Sequence, residues 1–108
     1  MKQRTKRRRT HGVLEMSITT HETGFSMDFA NGLTISVAHG KGNYCDNRDG
    51  ELTNDKKTET KTAEIAIWDE DNNWFHFGHD IVEGWLSADK IAIWISRVRM
   101  AESLDQLE

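Results

Sequence analysis

The sequence predicts an α+β fold: an antiparallel sheet of about five strands packed against one C-terminal amphipathic helix. Three observations carry that prediction. Residues 13–38 hold three alternating apolar–polar runs separated by short turn signals. Two further runs rich in β-branched and aromatic residues follow a long polar stretch. The last periodic segment then changes from a repeat of two to a repeat of about 3.6, behind a residue suited to cap a helix.

The first run, "VLEMSITT", sets Leu14, Met16 and Ile18 against Glu15, Ser17 and Thr19, the pattern of a half-buried strand. "HETG" turns the chain, and "FSMDFA" repeats the alternation with Phe25, Met27 and Phe29 inward. Asn31-Gly32 predicts a type I′ turn, because that turn needs positive φ at both central positions. "LTISVA" returns with Leu33, Ile35 and Val37 inward, completing an antiparallel meander.

Between about 46 and 62 the composition changes. "DNRDGELTNDKKTETKT" contains Leu52 as its one large apolar residue, which predicts an exposed, mobile loop. "TAEIAIW" then predicts a strand with Ile65 and Ile67 on one face and Ala66 and Trp68 on the other. The polar cluster "DEDNN" leads into "WFHF", the predicted fifth strand, with Trp74 and His76 opposite Phe75 and Phe77.

"IAIW" recurs at Ile91–Trp94, and its flanks give the second copy a different reading. Ser87 is a good N-cap, and Asp89 falls in the first turn where the helix dipole favours an anion. Ile91, Trp94, Ile95 and Val98 form an i, i+3, i+4, i+7 stripe, and Arg97 and Arg99 suit the C-terminal end. The second copy is predicted helical, and the echo is not a structural repeat.

At 108 residues the chain is read as a basic flexible arm at 1–12 and a single domain at 13–108. Lys2, Arg4, Lys6, Arg7, Arg8 and Arg9 precede the first acid, Glu15. The remainder holds eight basic residues against 18 acidic ones, a balance of −10 beneath the formal net charge of −4. An acidic body thus carries a basic arm. No apolar stretch approaches the roughly 20 residues that span a bilayer, and no apolar core of a signal peptide follows the basic start. The single cysteine gives no intramolecular disulfide and fits a reducing cytosol. The expected setting is the cytoplasm, with no membrane partner.

The segment "HGKGNYCDNRDG" holds the densest set of chemistry-bearing residues. It matches neither the phosphate-binding P-loop nor the dinucleotide fingerprint: Lys41 sits between its glycines, no Ser or Thr follows, and position 45 is not glycine. What survives is a loop whose Lys41, Asn43, Tyr44 and Arg48 can meet a ligand or partner. Cys45 lacks the surrounding signature of a nucleophile, and Asp46 and Asp49 work against a thiolate, so it reads as structural. His76, His79, Asp80 and Cys45 do not have the spacing of a metal site, and no metal or cofactor is expected. No paired acid–base constellation marks a hydrolase, so the expectation is a protein that binds and does not catalyse.

If a helix covers one face of the sheet, a large aromatic is left on the other. Trp68, Trp74 and His76 are therefore candidate contacts for a base, a peptide or a second subunit. In the arm, Arg4, Lys6, Arg7, Arg8 and Arg9 can contact nucleic acid through phosphates alone. Otherwise the arm is a solubilising tail or an extension from an upstream start, since Met16 and Met27 are alternative beginnings.

"FANGLTISV", "GNYCDN", "AEIAIWD" and "GWLSADKIAIWI" resemble blocks in small uncharacterised accessory proteins carried by bacteriophages, over about Phe25 to Val98. The resemblance leaves out the arm and assigns no functional residue. It implies a host-cytoplasm setting and an accessory role. The leading expectation is a phage accessory protein that occupies or inhibits a host macromolecule or defence component, its acidic surface meeting a basic site. The alternatives are a sponge for a small nucleotide, with an exposed tryptophan stacking on the base, and a nucleic-acid-binding module acting through the arm. Self-association as a homo-oligomer remains open.

Overall fold

The computed structural model describes residues 9–10, 13–40, 42–46, 48 and 59–108. The antiparallel α+β architecture is as predicted. Five strands run in the order β3 (Ser17–His21), β4 (Gly24–Asp28), β5 (Thr34–Ala38), β6 (Thr62–Trp68), β7 (Val82–Ser87), every neighbouring pair antiparallel. A two-stranded ribbon precedes them, β1 (Arg9–Thr10) with β2 (Val13–Leu14). Helix α1 (Ala88–Met100) follows β7 directly and packs over β5, β6 and β7, and a short 3-10 turn at Leu104–Leu107 ends the chain. Among the described residues no helix is long and apolar enough to cross a membrane.

Alternation in the central strands builds the core. Ile35 pairs with Ile67 and Val37 with Ile65 across β5 and β6, so four branched side chains stand on the helix side and are almost wholly buried. Phe25, Met27 and Phe29 pack against them from the β4 side, and Ile91, Trp94, Ile95 and Val98 descend from α1 as the predicted stripe. Ser87 caps the helix, accepting from the Lys90 N–H.

Three sequence expectations are corrected. The run Leu14–Ile18 is not one half-buried strand: Leu14 is buried in β2, whereas Met16 and Ile18 are 67% and 68% exposed. Ile18 does pair with Met27, but β3 is the sheet edge farthest from α1 and nothing covers it among the described residues. The Asn31-Gly32 turn is not type I′. Gly32 alone takes positive φ (+96°), its N–H donates to the Phe29 carbonyl, and Ala30–Gly32 form a three-residue loop. Asn31 is used elsewhere: its amide donates to the carbonyls of Val98 and Ala101, 2.8 and 2.6 Å away. These belong to the helix end, where carbonyls lack partners within the helix.

The fifth strand is Val82–Ser87, not Trp74–Phe77. Asp69 accepts from the N–H groups of Asp71 and Asn73 to fix the turn after β6, and Trp74 then makes a single bridge to Trp68. From there Phe75 and Phe77 leave the sheet and fill the space beneath Trp94, with ring centroids 5.9 and 5.2 Å from it. Large rings gain more by filling that layer than by extending a ladder. Finally, the expected mobile loop at 46–62 lies mostly outside the described residues. Its last residue, Thr62, belongs to β6, and Asp46 and Thr62 join the two ends through bonds of 2.9 Å.

Candidate functional site

The functional groups gather where β7 departs from regular pairing. Ala63 pairs with Leu86 and Ile65 with Glu83, so Gly84 and Trp85 together stand opposite Glu64. This is a β-bulge, and it puts Trp85 in a left-handed backbone conformation, φ +51°. The segment after β5 fills the opening. The Tyr44 N–H donates to a Glu64 carboxylate oxygen at 3.0 Å, and the Trp85 N–H donates to the Tyr44 carbonyl at 2.8 Å. The Tyr44 carbonyl thereby satisfies a donor at the bulge. Residue 84 must be small for this contact, since a Cβ there would stand 2.4 Å from Tyr44 Cβ.

The loop that delivers Tyr44 is anchored from within. Cys45 is 2% exposed, and its Sγ accepts from the Gly40 N–H at 3.2 Å. The Asn43 amide donates to the His39 carbonyl, and the N–H groups of Gly42 and Arg48 close the turn. Its cysteine is buried and carries no disulfide.

On the outside, the Tyr44 and Trp85 rings lie 5.4 Å apart and tilted by 32°, with the Arg48 guanidinium 4.6 Å from the centre of Tyr44. Trp85 is 56% exposed. Beside the pair runs an open groove of about 290 Å³ whose further walls are His79, Asp80, Val82, Glu83 and Gly84. The His79 imidazole stands 3.7 Å from the Glu83 carboxylate. The groove thus offers an aromatic face, two carboxylates and one imidazole.

Of the residues nominated from sequence, Tyr44 and Arg48 meet at this site, and Asn43 supports the loop beneath it. Lys41 lies outside the described residues. Trp68 and Trp74 are half-buried and stacked on each other, centroids 4.6 Å apart. Trp68 stands four residues beyond Glu64 along β6, roughly 13 Å at the strand rise. His76 is exposed and does not line the groove. In the arm, Arg4, Lys6, Arg7 and Arg8 lie outside the described residues, and Arg9 belongs to β1. Among the described residues no three of His, Cys, Asp and Glu converge as a metal site would require.

Sequence reasoning missed Trp85, His79, Asp80 and Glu83 as a group. The available signal was Gly84: an isolated glycine inside a strand pattern marks a bulge or a close backbone approach. Comparison with known protein families, with characterised proteins and with solved structures finds no match to this chain.

Proposed function

We propose that this is a non-catalytic accessory protein that binds a protein partner through the aromatic groove at its bulged edge. The observation that carries the reading is Trp85: a large aromatic, more than half exposed, held at positive φ and braced by Tyr44. An exposed aromatic on a rigid support is the side chain that most often dominates a protein interface. The groove's carboxylates and the acidic body favour a partner with a basic surface. In the bacteriophage setting that the resemblance implies, the partner is a host protein in the cytoplasm, occupied or inhibited by this one.

A nucleotide sponge is less well supported. Asp80 and Glu83 line the groove and repel phosphate.

The test is affinity capture from a bacterial host lysate on immobilised wild-type protein and on Trp85→Ala. The expected result is a discrete protein retained by the wild type and lost from the variant, with both chains giving the same circular dichroism. Equal retention on both would overturn the reading.

A further inference from the structure

We propose that the groove receives an arginine side chain of the partner, its guanidinium stacked on the outer face of Trp85 and paired with the Glu83 and Asp80 carboxylates. This deepens the reading above and rests on it.

Two features of the groove specify that chemistry. Its apolar surface is an indole, whose face carries the negative end of a ring quadrupole and attracts a cation. Among the described residues its polar walls include two carboxylates and no lysine or arginine, the Arg48 guanidinium being engaged over the Tyr44 ring. A neutral aliphatic residue could use the indole but would bury the carboxylates without partners, which is costly. A phosphate or an acidic side chain would be repelled. A cationic side chain satisfies both walls at once.

Arginine fits better than lysine. Its planar guanidinium stacks on an indole while its edge donates to a carboxylate, and it is less strongly hydrated than an ammonium. Among the described residues the guanidinium-on-ring half of this arrangement occurs within the chain itself, Arg48 over Tyr44 at 4.6 Å and Arg97 over Trp94 at 4.1 Å. Among the described residues Trp85 has the Tyr44 ring beside it and no cation over its face, and it is more than half open to solvent. The carboxylates are accessible too: Asp80 is exposed, and among the described residues Glu83 faces the imidazole of His79, at a distance too long for a hydrogen bond.

The probe is a blocked tripeptide, acetyl-Gly-Arg-Gly-amide, titrated into the ¹⁵N-labelled full chain while the Trp85 indole N–H resonance is followed. Its comparison is the citrulline tripeptide, which keeps the shape and removes the charge. The expected result is a saturable shift with the arginine peptide, about tenfold weaker with citrulline. Glu83→Gln should weaken the arginine peptide and leave the citrulline peptide unchanged. Equal shifts from the two peptides, or no shift from either, would overturn the proposal. So would a larger Trp85 shift from adenosine monophosphate than from the arginine peptide. The outcome is separable from that of the capture experiment. If capture depends on Trp85 yet the arginine peptide neither binds nor competes, the binding reading stands and the ligand class fails.

Discussion

Strand β6 faces two different environments, and its two sides follow different rules. On the helix side, Ile65 and Ile67 are wholly buried among branched and aromatic neighbours in the positions that alternation assigns them. At the β7 edge, Glu64 faces a bulge with a tryptophan at positive φ, an exposed indole and a glycine pressed against a tyrosine. The first side is what a sequence builds when every local preference agrees with the fold. The second holds several departures within two adjacent residues, Gly84 and Trp85, and each has a cost. Such departures persist when their surroundings enforce them, and they concentrate at binding sites. The contrast separates stability from recognition within one strand pair.

The largest expected effect tests the buried side. Ile67 is wholly buried and pairs with Ile35. Ile67→Ala removes three carbons from a packed layer and should cost about 4 kcal/mol, a large part of the stability of a domain this size. Chemical denaturation should show the midpoint collapsing. A loss below about 1 kcal/mol would mean that the layer closes over the gap, and the core would not be the rigid half of the comparison.

A middle-sized effect tests how the meander is joined to the helix. Asn31→Ala removes the amide that donates to Val98 and Ala101 and the carbonyl oxygen that accepts from the Leu33 N–H. The helix end and the hairpin lose one shared clamp, at an expected cost of about 2 kcal/mol. Hydrogen exchange should rise in the last turn of α1 and at Leu33 together. Faster exchange at Leu33 alone would make Asn31 an ordinary turn residue.

The same contrast explains what was legible in the sequence. The "IAIW" echo shows it most plainly. At Ile65–Trp68 the first and third residues join the core cluster, at a period of two, while Ala66 is buried outside it; at Ile91–Trp94 the first and fourth pack inward while Ile93 is 59% exposed. Four identical residues take two structures, and Ser87 ahead of the second copy decides between them by capping the helix. Wherever periodicity and caps agreed, the reading of the fold followed. It went astray at Asn31 and at Trp74–Phe77, where a contact distant in the chain outweighs the local signal, and at Met16 and Ile18, where alternation was clear but the residues are exposed. The site was half legible. Tyr44 and Arg48 stood out by composition and Gly84 signals a close backbone approach, but nothing near Trp85 in the sequence shows that the approaching segment is a loop some forty residues earlier.

The smallest expected effect is also the most specific to the bulged edge, because it reverses an ordinary ranking. In a regular strand glycine is worse than alanine by about 0.5–1 kcal/mol, since it loses more backbone freedom on folding. Ser36, in the middle of β5, should obey that order, with Ser36→Gly less stable than Ser36→Ala. Trp85 should invert it. At φ +51° any side chain with a Cβ meets the preceding backbone, a strain of about 1–2 kcal/mol that alanine keeps and glycine relieves. Both substitutions equally lose the contact with the Tyr44 ring, so the difference between them isolates the backbone. Trp85→Gly should therefore be more stable than Trp85→Ala by about 1 kcal/mol, read as the difference between two denaturation midpoints. Both should lose the captured partner to the same extent. If alanine proves the more stable at both positions, the left-handed conformation of Trp85 is not held by the fold. The edge would then be an ordinary strand end whose tryptophan is free to turn away from Tyr44.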